Sequence, residues 1–153
     1  MNNAVFSPEP VVKLENWFTD SFNNAVFGMT GGQMGPTTLP GQKTSTTPGG
    51  RDPAVHGHPI PMTEMLALAP GAAYVARAAL NHPTNVIRAK RAIRRAFEAQ
   101  LAGLGFSVVE LLSACPTDWH LSPAEALKWM DNMIARAPLG ELKAPAGLAG
   151  EHP

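Results

Sequence analysis

The stretch AYVARAALNHPTNVIRAKRAIRRAFEAQLAGLGFSVVELL, residues 73–112, decides the fold. Ala73 to Leu80 reads as a strand, stopped by Asn81-His82-Pro83. Thr84 is a good N-cap for a helix reaching about Ala102. Val86, Ile93, Phe97 and Leu101 fall on one face of that helix, and Gly103 with Gly105 marks its exit. Phe106 to Leu112 is a nearly continuous apolar run, as expected of a strand covered on both faces. Downstream, Ser122-Pro123-Ala124-Glu125 joins a capping box to a proline at the first helical position. The helix it opens is expected to pack through Leu127, Met130, Met133 and Ile134. Strand, helix, strand, helix predicts an α/β fold: a parallel β-α-β-α unit with a right-handed crossover. Both strands then end on one edge of the sheet. Asn81-His82 and the loop from Ser113 to Leu121, which carries Cys115, emerge together where open α/β sheets bind ligands.

Upstream lies NNAVFGMTGGQMGPTTLPGQKTSTTPGGR, residues 23–51, a long Gly/Pro/Thr-rich loop. Structureless segments of this length in a compact domain are functional loops or disordered ones. Gly28, Gly31 and Gly32 let a backbone approach a ligand closely. Asn24 offers a neutral oxygen to a hard cation such as Mg2+. Thr30 and the amides beside the glycines suit a diphosphate. A flexible Gly/Thr/Pro linker has the same composition. In either case proteases are expected to cut the loop at Lys43 or Arg51. Thr63 is placed to cap a short helix through Leu68, which Pro70-Gly71 ends. Residues 1–22, with Val11-Val12 and Trp17-Phe18 behind Pro8 and Pro10, read as a short helix or a poorly ordered arm.

Composition narrows the function. Gly and Pro make up 29 of the 153 residues, concentrated in residues 28–71 and 138–153, so the core-forming part is smaller than the length suggests. Formal net charge is zero, which gives no electrostatic case for a nucleic acid or an acidic membrane as partner. No run of 18 apolar residues and no basic, then apolar, N-terminal region is present, so neither a membrane span nor a signal peptide is expected. A single cysteine excludes an internal disulfide framework and suits a reducing, cytoplasmic setting.

Few side chains carry chemistry. Cys115 reads either as a small buried hydrophobe or as a ligand on the working edge. His56 and His58 alternate along an extended segment and point apart, so they are poorly placed to chelate. His82, His120 and His152 are isolated. Arg88, Lys90, Arg91, Arg94 and Arg95 crowd one helix. Arg88, Arg91 and Arg95 share a face that is solvated or meets an acidic partner.

NNAVFGMTGGQ, followed by PTTLPGQ and GRD, resembles the thiamine-diphosphate-binding β subunit of the 2-oxoacid:ferredoxin oxidoreductases, of the branched-chain and 2-oxoglutarate types. The resemblance runs over roughly residues 23–137. It implies that Asn24 and the Val26 carbonyl hold the Mg2+ that carries the cofactor's diphosphate. It implies that Phe27, Gly28, Met29 and Thr30 line the cofactor, and that Cys115 gives one ligand to a [4Fe–4S] cluster. The implied reaction is oxidative decarboxylation of a 2-oxoacid to an acyl-CoA. Its implied partners are coenzyme A, companion α and γ subunits and ferredoxin, and a companion subunit supplies the acid that activates the thiamine ring, so no catalytic base is sought here. Two departures stand out. The Gly-Asp-Gly that opens the family's cofactor motif is missing, and so are three of the four cluster cysteines. The expected division is a divergent arm (1–22), the C-terminal portion of the cofactor domain (23–137) and a Pro/Gly/Ala-rich tail (138–153). The expected status is a truncated subunit, inactive alone. The alternative is a non-catalytic remnant or interaction module that folds only with a partner.

Overall fold

The computed structural model describes residues 18–146. Strands β1 (Phe18–Asn23), β2 (Ala72–Ala79) and β3 (Phe106–Leu112) run parallel, and β4 (Gly140–Lys143) adds an antiparallel edge. The sheet order is β1-β3-β2-β4. The helices are α1 (Pro53–His56), α2 (Met62–Ala67), α3 (Pro83–Leu101), α4 (Pro116–Trp119) and α5 (Pro123–Arg136). The parallel β2–α3–β3–α5 unit is as the periodicity predicts, with β3 at its expected bounds.

Two segments depart from expectation at the sheet edges. Residues 18–22, read from sequence as the end of a helix or arm, form β1 together with Asn23, paired in parallel with β3 from Phe18↔Ser107 to Asn23↔Leu112. Phe18-Thr19-Asp20-Ser21-Phe22 has no apolar run, yet a strand supported on one edge by β3 and capped by α3 does not require one. The remainder of the arm lies outside the described residues. Residues 140–143, inside the expected tail, form β4 against β2. The glycine and prolines there shape the entry and exit of a short edge strand.

Helix α3 covers one face of the sheet through small residues. Ala89, Ala96 and Ala99 are buried against Tyr74, Ala76, Ala78, Val109 and Leu111. Alanine set against alanine lets the helix lie close to the strands; Ile93 packs against this cluster as expected, while Phe97 and Leu101 lie on the flanks. Phe97 is 46% exposed and stacks on Phe18 at 4.3 Å, while Leu101 is 87% exposed. The N-cap is His82 rather than Thr84: its ring accepts from the Thr84 amide, because Pro83 occupies the first helical position. Arg95 leaves the basic face, lies over the Tyr74 ring and pairs with Glu141 at 3.0 Å, tying β4 to the sheet. Burial, and then the bond it donates to Glu141, raises the pKa of the Tyr74 hydroxyl. Arg88, Lys90, Arg91 and Arg94 are exposed.

The opposite face carries two apolar clusters. Val75 and Val108 pack under α2; Ala79 and Leu112 pack under α5 with Met130 and Met133. Ala126, not the 42% exposed Leu127, completes the inner side of α5. The α5 start has both halves of the capping box, with proline at the first helical position.

The long loop is folded rather than structureless. The Gly41 amide donates to the Arg51 carbonyl, the Arg51 amide donates to that of Gln42, and Thr38, Gln42, Thr44 and Thr47 are buried. At its centre the Arg51 guanidinium donates to the carbonyls of Gly35, Pro36, Thr38, Gly57 and His58 at 2.8–3.2 Å. Arg51 is 5% exposed and is therefore shielded from trypsin, unlike the exposed Lys43. Among the described residues no helix is long and apolar enough to cross a membrane.

Ser122→Ala removes the side-chain cap of α5 and is expected to cost about 1 kcal/mol, read as a shift in the urea midpoint at unchanged m. Arg51→Ala strips six carbonyls of a charged donor, that of His56 at 3.5 Å included, and is expected to cost roughly 3 kcal/mol. It should also speed tryptic cleavage at Lys43; an unchanged cleavage rate would contradict the role given to Arg51.

Candidate functional site at the C-terminal strand edge

Asn23, Leu112 and Ala79 are register neighbours at the C-terminal ends of the three parallel strands. The segments that leave them therefore start side by side. Asn23 bends the first one. Its Oδ1 accepts from the Ala25 amide at 2.9 Å and from Thr37 Oγ1 at 2.8 Å. Ala25 takes φ of +57°, a left-handed conformation that costs a non-glycine residue on the order of 1 kcal/mol. The bend is held from both sides, since Thr38 Oγ1 donates to the Ala25 carbonyl at 2.5 Å. Next, Asn24 Oδ1 accepts a long bond from the Val26 amide at 3.3 Å, and its carbonyl accepts from Trp119 Nε1 at 3.1 Å. No hydrogen bond engages the Val26 carbonyl among the described residues.

Phe27 to Gln33 closes a tight turn. Gly32 donates to the Phe27 carbonyl, and Phe27 to that of Gln33, each at 2.9 Å. Thr30 spends its hydroxyl on Gln33 Oε1 at 2.7 Å instead of holding it open for a diphosphate. Two of the glycines serve close packing within the protein. A Cβ at Gly28 would press on Asn24 Nδ2, Asp118 Oδ2 and Cys115 Sγ, and one at Gly32 on Asp118. They let the turn lie against the loop after β3, whereas Gly31 faces open space apart from Gln33. Met29 is fully exposed at the tip and Phe27 is half-exposed.

Cys115 precedes α4 and donates its thiol to Asp118 Oδ2 at 2.9 Å. Burial pushes the thiol pKa up, and the Asp118 carboxylate adds to the rise. The proton therefore stays on sulfur at neutral pH. Trp119 stacks on Trp129 at 4.4 Å and fixes α4 to α5.

Behind the turn, the Glu110 carboxylate accepts from Asn23 Nδ2 at 2.6 Å, from Arg77 Nε at 2.5 Å and from Thr63 Oγ1. Thr63 is thus buried as a donor and not a cap; α2 starts at Met62 without a side-chain cap. Arg77 also grips Glu64 with both terminal nitrogens at 2.8 Å. That bond holds the Glu64 carboxyl below its usual range; burial opposes the Arg77 charge, but Glu64 and Glu110 together raise its pKa. A cavity of about 260 Å³ opens beside this network, between α2, the end of α5 and the loop.

The residues singled out from sequence thus come together: Asn24, Val26, Phe27, Gly28, Met29 and Thr30 form one turn, and Cys115 lies against its Gly28. His56 and His58 do not form a site. Their carbonyls serve Arg51, and the His56 ring meets the Asp52 backbone. Among the described residues no group of three or more His, Cys, Asp or Glu side chains is placed to hold a metal ion. Sequence reasoning missed Asn23, Asp118, Trp119 and the Glu110 network. A signal for the last was present, since Arg77 and Glu110 interrupt two otherwise apolar strands. The amide oxygen of Asn24 and the Val26 carbonyl are donors of the kind a hard cation takes, and they fit part of a Mg2+ shell. A [4Fe–4S] cluster requires four thiolates, and one protonated thiol beside a carboxylate does not fit it.

No family model matches the sequence. The chain is 50% identical over 114 residues to ketoisovalerate oxidoreductase subunit VorA of Methanothermobacter marburgensis, which covers 74% of this chain and 24% of that subunit. It is 40% identical over 114 residues to 2-oxoglutarate synthase subunit KorB of Archaeoglobus fulgidus, covering 74% of this chain and 38% of the relative. The fold is similar to a 2-oxoglutarate:ferredoxin oxidoreductase from Magnetococcus marinus with 2-oxoglutarate, coenzyme A and succinyl-CoA bound. There the TM-score is 0.59 at 22% identity, over 88% of this chain and 49% of that one. The chain thus spans between a quarter and two fifths of the length of these curated relatives.

Asp118→Asn removes a carboxylate that disfavours the Cys115 thiolate, so the thiol pKa should fall and alkylation at a fixed neutral pH should quicken. The pH dependence of iodoacetamide modification checks this. A profile displaced to higher pH would show that Asp118 acts in the opposite sense.

Proposed function

We propose, from the premise that this chain is homologous to a segment of the 2-oxoacid:ferredoxin oxidoreductase subunits, that its turn of residues 24–30 is one wall of a Mg2+–thiamine diphosphate site. The enzyme concerned would oxidatively decarboxylate a 2-oxoacid, of the branched-chain or 2-oxoglutarate type, to an acyl-CoA with ferredoxin as acceptor. The observation that carries this reading is the strained bend at Ala25. Strain held by several hydrogen bonds at the C-terminal edge of a parallel sheet is a property of binding sites. Here it turns Asn24 and the Val26 carbonyl onto a single short turn.

Thiamine diphosphate, when bound, supplies the electron sink for the loss of carbon dioxide. This chain's own residues bind and orient. Asn24 and Val26 give neutral oxygens to the cation. Phe27 and Met29 give apolar surface that keeps water from the reacting end. Cys115 holds its proton towards Asp118. Companion α and γ subunits are its partners in this reading, and the Gly-Asp-Gly and three of the four cluster cysteines that the resemblance calls for are missing from this sequence. A second reading, a non-catalytic module that docks on a companion subunit, is favoured by apolar side chains left exposed on β1 and α3: Phe22 at 63%, Phe97 at 46% and Leu101 at 87%.

Amide NMR of the chain titrated with Mg2+ and thiamine diphosphate tests the first reading. Shifts confined to residues 24–30 are expected, with a Kd in the roughly millimolar range because the cation lacks its charged ligand. No shift there at saturating cofactor would sink the assignment. Anaerobic reconstitution should leave well under about four iron atoms per chain.

A further inference from the structure

We infer that Glu110 is a positioning residue for the Asn24–Thr30 turn: its buried carboxylate decides which way the Asn23 amide faces and so holds the Ala25 bend. The purpose of this device rests on the diphosphate reading above, while its geometry stands without it.

An asparagine side chain is a donor at one end and an acceptor at the other. Glu110 accepts on both oxygens: Oε2 takes Arg77 Nε and Thr63 Oγ1, and Oε1 takes Asn23 Nδ2. Facing an acceptor, Asn23 must turn its NH2 inwards. Its oxygen then faces outwards, where two donors wait: the Ala25 amide and Thr37 Oγ1. A flipped amide would set oxygen against the Glu110 carboxylate and NH2 against the Ala25 N–H, losing both of those bonds, while the Thr37 hydroxyl can reverse its role and accept. Glu110 sits two positions before Leu112, the register partner of Asn23, so it reaches the amide from the same face of the sheet. It is 6% exposed, and little water reaches it to take over either role. The bend that presents Asn24 and Val26 is thereby dictated from the middle of β3, 87 residues away in sequence.

The device has a testable polarity. In Glu110→Gln, the glutamine oxygen goes to the charged Arg77 and its NH2 meets Asn23, which must flip and lose the Ala25 amide. Asn23→Asp alone sets carboxylate against carboxylate. The double variant N23D/E110Q restores donor to acceptor at every contact, because the carboxylate introduced by N23D accepts on both sides. Hydrogen exchange of the Ala25 amide in the full chain, without cofactor, reads this directly, with the Ala126 amide of α5 as the reporter of folding. Each single variant should lower Ala25 protection by about tenfold or more, and the double variant should recover it. Unchanged protection in Glu110→Gln, or failure of the double variant to recover it, would overturn the inference and leave Glu110 as a counter-ion to Arg77. Where a single variant loses Ala126 protection as well, the double variant decides alone. Running the cofactor titration on the native chain separates the two readings. Recovery of Ala25 protection without any cofactor response keeps the positioning role and removes the diphosphate site.

Discussion

The carboxylate of Glu110 is the contact on which the parallel sheet is assembled. It draws a donor from β1, another from β2 and a third from α2, three elements far apart in the chain. Burying charge costs desolvation that attraction offsets only where every remaining lone pair and proton finds a partner. Arg77 meets that condition through two carboxylates, Glu110 beside it on β3 and Glu64 on α2. The outcome is specificity of register. A slip of β2 against β3 by one residue would turn Arg77 and Glu110 to opposite faces and leave each charge buried alone. The strands β2 and β3 are otherwise apolar and buried on both faces, so hydrophobicity alone discriminates this register less sharply.

The loop after the sheet edge solves a similar problem without a hydrophobic core. Residues 28–52 have few apolar side chains to bury, so they organise around a cation and backbone carbonyls. Arg51 gathers carbonyls from either side of itself in sequence, and buried threonines satisfy one another, as Thr44 and Thr47 do at 2.6 Å. This order supports the functional turn. Thr37 and Thr38, fixed from behind by the Arg51 bond to the Thr38 carbonyl, hold Asn23 and Ala25 from the outer side. Glu110 holds Asn23 from the inner side. The strained residue lies between the two.

At the edge itself, glycine decides who touches whom. Gly28 and Gly32 bring the turn against Asp118 and Cys115, which follow the far end of β3. A methyl group at either position would stand 3.0–3.2 Å from these side chains, which would have to give way for it. The thiol is consequently paired with a carboxylate and kept protonated, which sets it apart from a free surface thiolate.

The sequence by itself determined the β2–α3–β3–α5 unit, the cap at Ser122 and the sheet edge on which Cys115 lies. These follow from periodicity, caps and strand direction, which are local properties. It also pointed to residues 24–30 through their resemblance to a known motif. Tertiary structure alone decided the rest. Phe18–Asn23 becomes a strand because β3 and α3 offer it a place, and Gly140–Lys143 because β2 has a free edge. Arg51 reads as a loop cation until carbonyls from residues 35 to 58 converge on it. Arg77 and Glu110 interrupt their strands visibly, but their meaning depends on register, which is fixed only when the strands pair. A hydrogen bond across 87 residues leaves no trace in any local window, and it is such a bond that orients the turn.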